Sequence, residues 1–131
     1  MQIRAHHLLC LQGFQGHGYS EEFSINMGKI VKIINSNPQQ EIEIITNFDA
    51  ICSCCPNNRN EKCKNLIFDW MIKKTDEKIL KKIELDNGTF IKADDAFSLV
   101  NERFKTFNDA KKICRNCSWR DKCLWFISRL K

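Results

Sequence analysis

Two cysteine groups are the residues of this chain best equipped for chemistry. Cys52, Cys55 and Cys63 follow C-x2-C-x7-C, and Cys114, Cys117 and Cys123 follow C-x2-C-x5-C. A tight loop turns the two sulfurs of a C-x2-C pair toward one point, and the third cysteine returns from the next turn or helix, as in sites that hold a metal. Each segment supplies three ligands, so a fourth must come from elsewhere in the fold. Cys10 stands apart, close behind His6 and His7. His6 and Cys10 are four residues apart, the spacing that puts two side chains on one helix face. Either histidine is a candidate ligand or a donor to a ligand. Arg4 is placed to bring positive charge near an anionic centre. Cys54 sits inside the first pair; adjacent side chains diverge, so it joins Cys52 only by standing in for Cys55.

Setting Cys54 aside, the seven remaining cysteines are one short of two four-cysteine sites. Three solutions stay open. One triad takes Cys10 while histidine completes the other; two sites form, one with an open or non-cysteine position; or a single four-cysteine site forms and the other thiols are structural or reactive. Zinc favours four cysteines, or three and a histidine. A 4Fe–4S cluster also takes four thiolates, and Cys55-Pro56 resembles the cysteine–proline step of bacterial cluster loops. Ile51, Phe68, Ile113, Trp119 and Trp125 could shield a cluster, although helix periodicity accounts for them as core.

Eight cysteines in 131 residues need an explanation that composition alone does not give. No apolar run reaches the roughly 20 residues that cross a bilayer. The N-terminus lacks a basic segment followed by a small-residue cleavage site. The expected setting is cytoplasmic, where thiols stay reduced and disulfides explain little. The formal charge is +5. Four thiolates around a +2 ion or core sum to −2, so one such site leaves +3 and two leave +1; the basic balance is then weak evidence for a nucleic-acid partner, and none is expected. The lysine pairs at 73–74, 81–82 and 111–112 read as solvated faces.

The elements that must position these residues are mostly helices. Residues 1–16 read as a short helix with Cys10 near its end, followed by a loop holding Gly13, Gly16, His17 and Gly18. Ser20 opens the clearest helix, with Glu21 and Glu22 in its first turn and a stripe of Phe23, Met27, Ile30, Val31 and Ile34. Asn37-Pro38 ends it. Residues 41–46 alternate as a strand, for which residues 88–91 are a possible partner. Helices are predicted from Leu66 to Lys73, from a Thr75 cap onward, and from Asp94 along Phe97, Val100, Phe104 and Phe107. A last helix runs from Trp119 to Leu130. Asp86-Asn87-Gly88 is a turn. The expected fold is a mainly α single domain over residues 1–131, with cysteine-rich loops and at most one short β-hairpin.

No nucleophile elbow, dinucleotide-binding glycine motif or phosphate-binding loop occurs. Four motifs together resemble one family. They are Arg4 to Cys10 (RAHHLLC), Gly13 to Ser20 (GFQGHGYS), Ile51 to Pro56, and Cys114 to Cys123 with Trp119. The chain resembles prokaryotic cysteine-rich proteins of about 130 residues, the domain of unknown function DUF1284. That resemblance implies iron–sulfur binding and transfers no catalytic residues. The expected ligand pool is Cys10, Cys52, Cys55, Cys63, Cys114, Cys117 and Cys123, with His6 and His7 beside it. The expected function is electron transfer or redox sensing through a 4Fe–4S cluster, with a redox protein as partner. The alternatives are a zinc-stabilised binding or regulatory module, and a cluster enzyme whose open iron is lined by His6, His7 or His17. Sequence alone leaves the oligomeric state open.

Overall fold

The computed structural model describes residues 1–16, 20–52, 58–59, 62–63, 66–114 and 122–129, with the backbone alone at 58–59, 62–63 and 66–68. The expectations for His17, Cys54, Cys55, Pro56, Cys117 and Trp119, and for the side chains of Cys63 and Phe68, lie outside the described residues.

Six helices and a three-stranded mixed sheet organise the described residues. Strand β1 (Gln2–Arg4) pairs in parallel with β2 (Glu41–Ile45), and β2 pairs antiparallel with β5 (Thr89–Lys92). Ile3 faces Ile44 and Ile42 faces Ile91 across the two ladders. The expected pairing of residues 41–46 with the segment after Gly88 is therefore present. Gly88, at φ +89°, makes the turn into β5, and its N–H donates to Ile44 O at 2.7 Å. A positive φ of this size suits glycine, which has no Cβ to clash. Two further short strands, β3 (Asn58–Arg59) and β4 (Lys62–Cys63), pair with each other within the first cysteine region.

The first segment departs from expectation. Residues 2–4 are strand, not helix, because Ile3 and Arg4 take their backbone partners from β2. Helix α1 (His7–Gly13) begins only after the turn at Ala5, whose N–H donates to Ile45 O at 2.8 Å. Helix α2 (Glu21–Ser36) has the expected cap: Ser20 Oγ accepts the Phe23 N–H at 3.1 Å. This satisfies one of the unpaired donors that every helix N-terminus carries.

Helix α3 (Leu66–Ile83) is continuous, so Thr75 is interior and caps nothing. With no glycine or proline to interrupt the segment, the Thr75 hydroxyl instead donates back to Met71 O at 3.2 Å. Helix α4 (Ala93–Arg103) stops before Phe104, and Phe107 opens a separate helix, α5 (Phe107–Cys114). Phe104 is buried, while Phe107 is exposed. The last described helix, α6, is only Leu124–Ile127. Ile3, Leu8, Ile42, Ile44, Ile51, Ile79, Ile83 and Val100 are the largest of the fully buried apolar side chains that join sheet and helices into one core. They fix the β1–α1 turn against the loop after β2 and the middle of α3, where the polar side chains collect.

Candidate metal centre

Five buried or half-buried polar residues meet where β1 hands over to α1. Arg4 ends the strand, and His6 and His7 begin the helix. Asp49 follows β2, and its carboxylate shapes the next turn: Oδ1 accepts the Ile51 and Cys52 N–H groups at 3.0 and 3.1 Å. Oδ2 accepts the Arg4 backbone N–H at 2.8 Å and contacts His7 Nδ1 at 2.7 Å. All four lone-pair positions of Asp49 are thereby engaged. Cys52, a free thiol, is held at the end of that turn. His7, Asp49 and Cys52 each offer a ligand atom within 4.8 Å of the other two. Among the described residues this is the one such convergence of three or more metal-ligating side chains.

A second carboxylate supports the first group from behind. Asp76 of α3 is fully buried. Its Oδ1 accepts the His6 backbone N–H at 2.9 Å and meets His6 Nδ1 at 2.7 Å. Its Oδ2 accepts from Arg4 Nε at 2.9 Å. Arg4 Nη2 is an ion-pair partner of the same oxygen at 2.9 Å but is out of line for a hydrogen bond. Arg4 Nη1 donates to Cys52 Sγ at 3.7 Å. The guanidinium thus links Asp76 to the Cys52 thiol. The His6 and His7 rings lie 4.3 Å apart, each with Nδ1 committed to a carboxylate. For His6 this leaves Nε2 as the ring nitrogen for other work, the arrangement by which an outer carboxylate fixes a histidine; for His7, Nδ1 is the nitrogen that faces Asp49.

The donor set can take a divalent ion. Imidazole nitrogen, carboxylate oxygen and thiolate sulfur are the three protein ligands of zinc, which sits 2.0–2.3 Å from each. Burial, and next the Asp49 charge, push the Cys52 thiol up to about 12, against a hydrogen bond with the Asp49 backbone and the charge and hydrogen bond of Arg4. Without a cation, Cys52 is therefore a protonated thiol near neutrality and no ready nucleophile. A bound ion replaces that proton, so loading releases acid and weakens as pH falls.

Burial alone would raise the carboxyl pKa of Asp49 and Asp76. The charge and hydrogen bonds of His7 and His6 outweigh it, aided by the Arg4 and Cys52 N–H groups at Asp49 and by Arg4 at Asp76. Both carboxyls are held below the ordinary range. Burial, reinforced by His7 and Arg4, lowers the His6 pKa against the pull of Asp76. The signs agree. A lowered histidine pKa means the unfolded chain takes up its proton first, so stability falls as pH drops below about 6.5. A lowered carboxyl pKa gives stability above about 3.9 that is lost as pH falls through the folded-state value. Metal-free protein is expected to lose urea resistance in two acid phases, one below about pH 6.5 and one below about pH 4. His6→Gln should remove the first phase and keep the second.

Of the expected ligands, Cys52 and His7 come together, and His6 lies one residue away on Asp76. Cys10, on α1, and Cys114 and Cys123, around α5 and α6, are not part of this group. Cys63 is placed on β4 opposite Asn58. Sequence reasoning missed Asp49 and Asp76. Asp49 carried a signal, since an aspartate three residues before a cysteine can cap the intervening turn. Asp76 carried a clearer one: it lies three, four and seven residues before Ile79, Leu80 and Ile83, on the buried face of its helix.

Comparison with known proteins adds one family. A family model described as a protein of unknown function, DUF1284, matches residues 18–123. The matched stretch contains Asp49, Cys52 and Asp76, while Arg4, His6 and His7 precede it. No curated protein and no solved structure matches the chain. Among the described residues no helix is long and apolar enough to cross a membrane.

Proposed function

The chain belongs to the DUF1284 family of proteins of unknown function, and from that premise we propose that it is a zinc-stabilised binding or regulatory module. One ion is held by His7, Asp49 and Cys52. The observation that carries this reading is the meeting of those three side chains within 4.8 Å, from two segments far apart in sequence. An ion there ties the start of α1 to the loop after β2, so metal binding and folding are coupled. Asp49 reaches the ion by giving up part of its hydrogen bonding. Arg4 balances the negative charge of the thiolate and Asp76 fixes Arg4.

Imidazole, carboxylate and one thiol favour a single borderline ion over a 4Fe–4S cluster, which needs four thiolates. The reading also fits a reducing, cytoplasmic setting, where Cys52 stays available as a ligand. The module's partner would then read the presence of the ion through the shape of the loop after Cys52.

The protein loaded with zinc at 100 times its Kd should gain about 2.7 kcal/mol over the chelated form. For a chain of this size that raises Tm by roughly 10 °C. Cys52→Ser and His7→Ala should abolish the zinc-dependent part of that rise, measured by calorimetry. A brown protein carrying iron and sulfide, with Tm indifferent to zinc, would overturn the proposal.

A further inference from the structure

A groove runs over α1, with walls from α2 and α4. Its first hollow, of about 370 Å³, is lined by the buried Leu11 and Ile34 and the half-buried Val31 and Phe97. Val31 and Phe97 belong to the apolar stripes of their helices, and both keep apolar surface open toward this hollow. The polar part of the lining comes mostly from one face of α4: Asp94, Ser98 and Asn101 stand at i, i+4 and i+7. A second hollow, of about 320 Å³, adjoins the first and shares Gln12 and Asn101 with it. Leu124, 49% exposed, and Arg129 line that end. An apolar lining with a few converging polar groups is the usual form of a small-ligand site.

The shared middle is fixed. Asn101 Nδ2 donates to Gln12 Oε1 at 2.8 Å, and Gln12 Nε2 donates to Leu8 O at 3.0 Å. Asn101 Oδ1 accepts from Trp125 Nε1 and from Arg129 Nη2, both at 2.9 Å. Both amides are thereby oriented. Each keeps one N–H for a ligand, and Gln12 Oε1 keeps a lone pair. That is the complement of a peptide group, which brings one carbonyl and one N–H.

The two ends carry opposite charge. Arg129 is locked in place: Nε donates to Phe104 O, Nη1 donates to Trp125 O and Ser128 Oγ, and the guanidinium lies 3.8 Å over the Trp125 ring. One N–H of Nη2 is left over. Asp94 stands at the other end, in the first turn of α4. Neither Arg129 nor Asp94 takes part in an ion pair among the described residues. Asp94 and Asn101 are seven residues apart on one helix, about 10 Å along its axis. Three residues of extended chain span about the same length.

We infer that this groove binds a short zwitterionic peptide of about three residues. Its ammonium lies at Asp94 and its carboxylate at Arg129. Its peptide groups bond Gln12 and Asn101, and an apolar side chain covers Val31 and Phe97. A carboxylate suits a guanidinium that is already held, because the fixed fork loses little freedom on binding. The opposite charges also set direction, since a reversed peptide would put each end beside its like. None of these residues belongs to the His7–Asp49–Cys52 group, so the site stands apart from the ion.

The test is a calorimetric titration of the protein with the tripeptide Gly-Leu-Gly, joined to NMR of the Gln12 and Asn101 side-chain amides. Saturable one-to-one binding that shifts both amides is expected. Amidating the peptide's C-terminus should weaken binding about tenfold, and acetylating its N-terminus about threefold. The second effect is smaller because Asp94 is exposed. Asp94→Asn should bind the free and acetylated peptides alike and still discriminate against the amidated one. The inference is overturned if either blocked peptide binds the wild type as tightly as the free one, or if millimolar peptide shifts neither amide. These readouts need no variant to fold. Cys52→Ser should bind the peptide as the wild type does, so failure of the zinc centre and failure of this site are separate results.

Discussion

Asp76→Ala is expected to cost the fold about 3–5 kcal/mol, the penalty for leaving a buried charge without its partner. Arg4 and Asp76 are 3% and 0% exposed, so water cannot replace the missing carboxylate. Total stability of a domain is about 5–15 kcal/mol, so this one change removes a large part of it. Asp76 also accepts the His6 N–H and meets the His6 ring, so the same substitution frees the start of α1. The urea midpoint and Tm should fall together. Replacing both partners, as Arg4→Met with Asp76→Leu, should recover much of the loss, because a buried ion pair gains little over apolar packing once both charges are gone. If the double variant is no more stable than Asp76→Ala, the cost lies in packing and not in the orphaned guanidinium.

Asp49→Ala should have the second-largest effect, and it should fall on stability and metal affinity at once. The carboxylate takes three backbone N–H groups and the His7 ring. Removing it leaves buried donors without acceptors, each worth about 1–3 kcal/mol. A loss of about 3 kcal/mol is expected in metal-free protein. Zinc affinity should drop by more than the roughly 10–100-fold that follows loss of an outer-shell partner, since Asp49 is both ligand and positioner. Comparing chelated and zinc-loaded forms separates the two effects. If Asp49→Ala loses stability and keeps zinc affinity, Asp49 only shapes the turn.

Much of the scaffold was legible in the residues. Ser20, the stripe of α2 and the Asp86-Asn87-Gly88 turn are local signals, and local physics decides them. The pairing of β2 with β5 followed from alternation beside a turn. Strand β1 was not legible, because three residues carry no periodicity and their pairing depends on a partner about forty residues away. The break in α3 expected at Thr75 failed because a threonine inside a helix can bond back to the preceding turn. At the site, Cys52 and His7 announced themselves by type and spacing. Asp49 and Asp76 did not, since aspartate at a loop or on a charged helix is ordinarily solvated. Their importance arises only when burial turns an ordinary carboxylate into the fixed partner of a histidine or an arginine.

The most direct measurement is anomalous diffraction at the zinc edge from crystals of the protein grown with zinc. A peak 2.0–2.3 Å from ligand atoms of His7, Asp49 and Cys52 is the predicted result. A zinc-saturated crystal with no peak between these three residues, and with Asp49 Oδ2 still 2.7 Å from His7 Nδ1, would contradict the account.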